Sequence, residues 1–458
     1  MTYNYFPELS NPFFLTVLIG TSLSLILESF VEWTNLDKND IKGKLKELVK
    51  ENHLASKLFS KAKIEKTARY SNDTELASDK FASVHGGFSS LFMMLGVLPF
   101  VFHTLLGFGL SAYWTYIVIS LGQMVLNETV GIPFSLYETF GIEQKYGFNR
   151  MTKKLFWTDM MKSFLLNLVL VVGSISIMNF LLLSIGHFTA TKTMILIGVV
   201  FSLELIIEAF GSVVMRMFNK FTPVKDKKLL RSLRTILKGS KDEYLLKRVF
   251  VMDESKRSTH SNAFVMGFGK HKRIVLFDTL LKKYTPDEIT AILAHELSHS
   301  RKGHLVINRI IGFAQLSISM FILTSFLENV TMYHAFGFSF INEGNVSEYP
   351  LLGLALASMV LGAVKEILQI PALESFISRK MEYSADRGAV LLTGKKGPLS
   401  SSLLKLTAEN LSDIFPSALY EAFNYDHPSV LNRLKNINSV KLVSKRKKTK
   451  KIKTDDAK

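Results

Sequence analysis

The 458-residue sequence has no cysteine, so disulfide frameworks, thiol nucleophiles and cysteine-ligated metals are excluded. No internal repeat is visible, which sets aside repeat architectures. The first apolar run follows MTYNYFPELSN, which has an acidic residue but no Lys or Arg, and no small-residue cleavage site comes after it. That is a poor leader for a cleaved signal peptide, and the run reads as a retained span. What is abundant is apolar: 48% of residues are hydrophobic, 35 are Phe, and mean hydropathy is +0.21 despite 56 Lys and Arg. So much apolar surface excludes a disordered chain. Its bunching into long runs argues against an evenly mixed soluble protein. The net charge of +17 would suggest nucleic acid in a soluble protein. In a membrane protein it points to basic loops facing an anionic leaflet, so the expected partner is a lipid bilayer and not nucleic acid.

Apolar runs of roughly 20 residues are long enough to span a bilayer. Seven are expected, near 12–32, 87–109, 113–136, 163–185, 192–214, 305–327 and 351–370. The segments 33–86, 137–162, 216–304 and everything after 371 are rich in Lys and Arg, whereas 328–350 has Glu328, Glu343 and Glu348 and neither Lys nor Arg. This alternation follows the positive-inside rule, with the N-terminus outside and the C-terminus cytosolic. The 328–350 loop, with sequons at Asn329 and Asn345, then faces the lumen. Glu28, His103, Glu204, Glu208, Lys365 and Glu366 fall inside expected spans, where ionisable groups usually face an interior or a water-filled cavity. The expected division is 1–215 (five spans with cytosolic loops), 216–304 (a first hydrophilic block), 305–370 (spans six and seven), 371–440 (a second hydrophilic block) and 441–458 (a basic, disordered tail).

The chemistry sits at the inner ends of these blocks. In DEITAILAHELSHSRKGH, residues 287–304, Ile289, Ile292, Leu293 and Leu297 recur at helical spacing. His295 and His299, at i and i+4, share a face and can bind one metal ion. Glu296 can reach a water at that metal without ligating it, the pattern of a zinc protease with Glu296 as general base. A third ligand is needed. His304 lies one residue short of the position at which metzincins supply a third histidine, and it reads as a helix-end or interfacial residue. Glu382 and Asp386 also share a helical face: one carboxylate can bind zinc and the other can accept the N–H of a ligand histidine.

The segments RSTHSNAF (257–264), KRIVLFDTLL (272–281), AHELSH (294–299), EYSAD (382–386), PFSLYETFGIEQKYGFNRMT (133–152) and DHPSVLNRL (426–434) resemble the Ste24-type CaaX prenyl proteases, the prelamin-A-processing zinc metalloendopeptidases. The resemblance runs from the second span to about residue 440. It implies a mainly α, polytopic membrane protein. About seven helices form a ring around an intramembrane chamber, with a zincin-like protease domain on the cytosolic side. It implies one Zn2+ per chain held by His295, His299 and Glu382, with Glu296 as base and Asp386 behind the ligands. Asn262 and Ala263 match an edge-strand motif that pairs with substrate backbone. His427 and Arg433 match late residues that stabilise the oxyanion or orient the site. The implied substrates are prenylated CaaX proteins, cut near the prenylated cysteine with removal of the aaX tripeptide and a second upstream cut. The implied location is the endoplasmic-reticulum membrane, extending to the inner nuclear membrane. The sequence departs from the usual HELGHW pattern, since Ser298 and Ser300 replace Gly and Trp. A membrane quality-control zinc protease is the alternative enzyme, and a transporter or receptor with a structural HExxH is the non-enzymatic one.

Overall fold

The computed structural model describes residues 3–36, 41–185, 189–267 and 271–442. The expected basic tail falls largely on 443–458, outside the described residues. Six helices among the described residues contain stretches long and apolar enough to cross a bilayer. They are α1 (Pro12–Leu36), α4 (Ala112–Leu136), α5 (Lys153–Ile185), α6 (Ala190–Phe218), α9 (His304–Phe326) and α10 (Pro350–Ile367). Large apolar side chains such as Val169, Phe180 and Ile310 point outward on these helices, each with more than 60% of its surface exposed. Water would not tolerate such surfaces, whereas lipid does.

The second expected crossing, 87–109, is not one helix. A long helix α2 (Lys61–Met94) ends there, and a shorter apolar helix α3 (Val97–Gly107) follows. Between them Gly96 takes φ +63, and a Cβ at this position would come within 2.0 Å of the Tyr5 carbonyl oxygen. The break exists because the N-terminal segment lies directly against this turn, which only glycine allows. The 328–350 segment, expected as a loop, is a packed cap. Tyr333, Phe338 and Ile341 are fully buried there, beside Phe14 of α1 and Phe102 of α3. Its aromatic run, FGFSF at 336–340, supplies the apolar area that a solvated loop lacks. Asn345, the second sequon residue, uses both ends of its amide: Oδ1 accepts from Asn342 N at 2.8 Å and Nδ2 donates to Phe340 O at 3.3 Å. Three of the ionisable residues expected inside spans have partners in this region or between helices. His103 faces the Tyr5 hydroxyl at 2.7 Å, Glu366 accepts from Ser24 at 3.2 Å, and Glu208 pairs with Arg309.

The hydrophilic blocks fold together on the opposite side. A four-stranded sheet has the order β1-β2-β4-β3, from β1 (Phe221–Pro223), β2 (Val249–Met252), β3 (Ala263–Met266) and β4 (Arg273–Phe277). The β2–β4 pair is parallel and the other two pairs are antiparallel, which leaves β3 at an edge. Ile274 and Leu276 of β4, Leu229 and Leu233 of α7 (Lys227–Leu237), and Ile289, Leu293 and Leu297 of α8 (Pro286–Arg301) build one core. Ala389 and Val390 of α11 (Ile370–Thr393), Leu404 of α12 (Gly397–Glu409) and Leu434 of α14 (Val430–Ser439) close it. Helices α8 and α11 belong to different blocks of sequence, and this core brings them side by side.

The start of α8 is fixed locally. Thr285 caps the helix, Pro286 follows, and Glu288 completes a capping box by accepting from Thr285 N at 2.9 Å. Glu288 also takes Lys405 of α12 at 2.8 Å and the Ser401 hydroxyl. Burial pushes the Glu288 carboxyl up, but Lys405, Ser401 and the Thr285 N–H outweigh it and hold the group below its usual 4.5. A carboxyl lowered on folding contributes stability above its unfolded value and loses it as pH falls through the folded value. Glu288→Gln should therefore cost about 1–3 kcal/mol at neutral pH. The wild type and variant should converge below pH 4.5, as read by thermal unfolding in detergent. A gap that persists unchanged in acid would show that the charge is not what matters.

Candidate active site

Helix α8 carries His295, Glu296 and His299, and α11 carries Glu382 and Asp386 one turn apart. Three atoms converge where the helices face each other. His295 Nε2 lies 3.2 Å from His299 Nε2 and 3.2 Å from Glu382 Oε2, and His299 Nε2 lies 3.1 Å from Glu382 Oε1. All three potential ligand atoms fall within 4.8 Å of one another. The other nitrogen of His295 is committed: Nδ1 is 2.9 Å from Asp386 Oδ1. An imidazole that donates from Nδ1 presents a lone pair at Nε2. Glu382 Oε2 is buried without a hydrogen-bond partner, and a His295 made neutral, as a metal ligand must be, has no Nε2 proton to give it. Acceptors pointing at acceptors in a buried place are what a cation resolves, and two imidazoles with one carboxylate suit a tetrahedral divalent ion with an open position.

Behind this cluster, Asp386 is fully buried and grips Arg433 of α14 with both oxygens, Nε to Oδ2 at 2.9 Å and Nη2 to Oδ1 at 2.7 Å. Burial pushes the Asp386 carboxyl up, but Arg433 and the His295 hydrogen bond outweigh it and hold it below the usual range. Glu382 behaves alike: burial opposes its charge, yet His295 and His299 hold its carboxyl far below the usual range. Burial disfavours a charged His295, but Asp386 and Glu382 win and raise it to about 9 when no cation is bound. Glu296 is half-buried and makes no side-chain hydrogen bond among the described residues. His427, in the segment between α13 (Ala418–Asn424) and α14, points Nε2 at Glu382 Oε1 from 3.4 Å. Its Nδ1 faces Asp426 at 2.7 Å, which raises the imidazole above its ordinary value. At the sheet edge, Asn262 Oδ1 covers the Ala263 N–H at 2.8 Å, so an incoming strand has to displace that side chain.

A family model described as peptidase family M48 matches residues 223–441, and one described as the CAAX prenyl protease N-terminal domain, five membrane helices, matches 46–220. A CAAX prenyl protease 1 of Saccharomyces cerevisiae is 35% identical over 78% of this chain and 77% of its own. The chain belongs to this family. The human CAAX prenyl protease 1 homolog is 29% identical over 77% of this chain and 81% of its own. The crystal structure of S. mikatae Ste24p superposes with a TM-score of 0.76 at 27% identity, covering 92% of this chain and 99% of that one. The chain is thus a polytopic membrane metalloendopeptidase.

The departure at Ser298 has a structural answer. Ser298 is buried, donates to Ala294 O at 2.6 Å, and faces Gly388 of α11. A Cβ on Gly388 would come 2.6 Å from Ser298 Oγ, so the room for the serine comes from the missing side chain opposite. Ser300 accepts from Lys272 beside β4. His304, set aside as a ligand, sits 3.1 Å from His299 Nδ1 through its own Nδ1 and opens span α9.

Several site neighbours escaped sequence reasoning. Asp426 behind His427 was inside a motif but had no assigned contact. His260, two residues before Asn262, stacks on Phe148 at 4.1 Å and faces Glu143 Oε2 and Asn410 Oδ1, each at 3.2 Å. Glu143 ends a π-helical turn (Tyr137–Glu143) that continues α4 and also accepts from Tyr70 of α2 at 2.6 Å. The only signal for this clamp was the length of the 133–152 block that carried the resemblance.

The Arg433 contacts generate a test. Arg433→Ala strands the fully buried Asp386 and should cost about 3–5 kcal/mol, because removing one partner of a buried pair leaves an uncompensated charge. Arg433→Ala with Asp386→Asn should recover part of that loss. Thermal unfolding of the two variants beside the wild type measures it, and equal melting of Arg433→Ala and wild type would contradict the network.

Proposed function

We propose that the chain is a zinc endopeptidase that cleaves isoprenylated CaaX proteins near the prenylated cysteine, releasing the aaX tripeptide and making a second cut upstream. The observation that carries this is the convergence of His295, His299 and Glu382 at the mouth of span α9, where His299 touches His304, the first residue of that span. Proteins named CAAX prenyl protease 1 align over most of the chain and support the substrate class.

In this reading His295, His299 and Glu382 hold the zinc. When bound, zinc supplies a Lewis acid that polarises a carbonyl and acidifies water. Asp386 fixes the tautomer and tilt of His295, and Arg433 holds Asp386 in place. Glu296, with no hydrogen bond of its own to break, takes the proton of the attacking water and delivers it to the leaving amine. His427, kept protonatable by Asp426, presents Nε2 where charge develops on the attacked carbonyl. The edge at Asn262 and Ala263 receives the substrate backbone as an added strand. The protease blocks face the cytosol and the N-terminus faces the lumen of the endoplasmic reticulum. That is the orientation the charge alternation favours.

Glu296→Gln should retain about one zinc per chain by elemental analysis while peptide cleavage falls about 100- to 10,000-fold. Glu382→Ala should lose the metal as well. Chelation should abolish wild-type cleavage and stoichiometric zinc should restore it. Full cleavage by Glu296→Gln would end this mechanism.

The substrate class is tested with a matched pair of peptides differing only in the prenyl group. A prenyl chain brings about 0.8 kcal/mol per buried CH2 toward membrane residence. Its removal should raise KM strongly and leave kcat nearly unchanged unless anchoring sets the register. Equal kcat/KM for the two peptides, in detergent and in liposomes alike, would favour a quality-control protease acting on unprenylated chains.

A further inference from the structure

Helix α11 has a second polar face. The side turned away from Glu382 and Asp386 carries Lys380, Tyr383, Ser384 and Arg387, at the i, i+3, i+4, i+7 spacing of one helical stripe. With Lys302 at the end of α8 and Lys435 on α14, this stripe lines a cavity of about 540 Å3. The lining includes no carboxylate, and Asn432 and Asn436 supply its remaining polar groups. Lys435 pairs with Glu47 at 2.7 Å. Among the described residues Lys302, Lys380 and Arg387 have no carboxylate within ion-pair distance. Lys302 donates instead to the carbonyl and hydroxyl of Ser384, and Arg387 Nε donates to Asn436 Oδ1 at 3.0 Å. Burial, then the neighbouring Arg387, both push the Lys302 ammonium below its ordinary value. Lys302, Lys380 and Arg387, gathered without a carboxylate of their own, repel one another, and an anion in the cavity relieves that.

The cavity also lies at the polar limit of the apolar belt. Lys302 precedes Gly303, where φ is +71, and span α9 starts at the next residue, with Leu305 and Val306 exposed. On α11 the turns before Lys380 expose Leu373 and Phe376, and the Lys380 ammonium sits 5.2 Å from the Phe376 ring. Basic groups above and apolar side chains below are what a lipid with a charged headgroup meets at an interface.

We propose that this cavity binds the phosphorylated headgroup of an anionic phospholipid, with the acyl chains lying along Leu373, Phe376 and the first turn of α9. Lys380 and Arg387 take the phosphate oxygens, Arg387 by its paired N–H groups. Lys302 and Lys435 close the ring of charge, and Tyr383, Asn432 and Asn436 offer hydrogen bonds to a sugar-like headgroup. The site lies on the opposite face of the helix that carries Glu382, so occupancy buttresses α11 against α14 without entering the cleavage site. It does not depend on what the enzyme cleaves.

The test uses full-length protein in neutral detergent, titrated with dioctanoyl phosphatidylinositol 4-phosphate and, separately, with dioctanoyl phosphatidylcholine, inorganic phosphate and inositol 1,4-bisphosphate. Saturable binding of the phosphoinositide is expected, with none of the phosphatidylcholine and at least ten-fold weaker binding of the two soluble phosphates. Lys380→Gln and Arg387→Gln should each weaken it about five-fold, the share of one interfacial cation. The double variant should approach the product. Lys282→Gln, an exposed lysine elsewhere on the basic surface, should leave binding unchanged. Three outcomes would overturn the proposal: no saturable binding, equal loss in the Lys282 control, or soluble phosphates that bind as tightly as the lipid. The last would identify a free-phosphate site.

Discussion

Glu382 and Asp386 are two carboxylates set one turn apart on a single helix, both buried and both ionised. Left to themselves they would repel, and desolvation would protonate at least one. They stay charged because each meets a different set of partners. Asp386 faces a guanidinium and an imidazole N–H. Glu382 faces the Nε2 atoms of both HExxH histidines. Most of the protease domain can be understood as the scaffold that brings those partners in. Helix α8 approaches closely enough only because Ser298 meets a glycine at 388. Helix α14 is pinned through Leu434 in the core, which aims Arg433 at Asp386. A buried ion pair of this kind adds little net stability over an apolar substitute, and its value lies in fixing one arrangement of the ligand atoms.

The same packing places the chemistry against the membrane. His299 is held from behind by His304, and His304 starts a span. The tilt of a candidate ligand is therefore coupled to the position of α9 in the bilayer with no linker between. Membrane depth and the geometry of the candidate ligands are thereby one variable.

Much of this is legible in the sequence. His295, His299, Glu382 and Asp386 are readable because the i, i+4 rule is local: the helix supplies the geometry once the residues are written down. That the two helices meet is not local, and only the co-occurrence of two such motifs beside spans hinted at it. The spans were legible from length and apolarity, with one failure. Near 96 the apolar run continues through a glycine whose role is set by Tyr5, some ninety residues away, and no window of sequence contains that contact. The cap at 328–350 is hard to read for the opposite reason. Its lack of Lys and Arg signalled a side of the membrane, and the reading by charge passed over the aromatic run that folds it. The sheet was illegible because β2, β3 and β4 are each four or five residues long. At that length alternation and a buried run look alike, and parallel β2–β4 pairing spans an intervening strand. The edge role of Asn262 and Ala263 came through resemblance alone.

The clamp at His260 shows how the two halves of the chain become one enzyme. Thr259 N bonds Phe148 O at 3.0 Å and Arg150 N bonds Arg257 O at 2.9 Å, so the segment leading into β3 is itself paired to the end of the α4 extension. Glu143 then joins that extension, α2 through Tyr70, and His260 at one carboxylate. A π-helical turn is a costly way to end a helix and is kept where it aims a side chain. Here it aims Glu143. β3 is an edge strand with one neighbour, and an unsupported edge of four residues would be free to fray or shift register. The contacts from α2 and α4 supply the support that a second neighbouring strand would give, while leaving β3 with β4 as its one strand partner. An edge strand held this way stays in register without a second strand beside it, because α2 and the α4 extension grip the residues that lead into it.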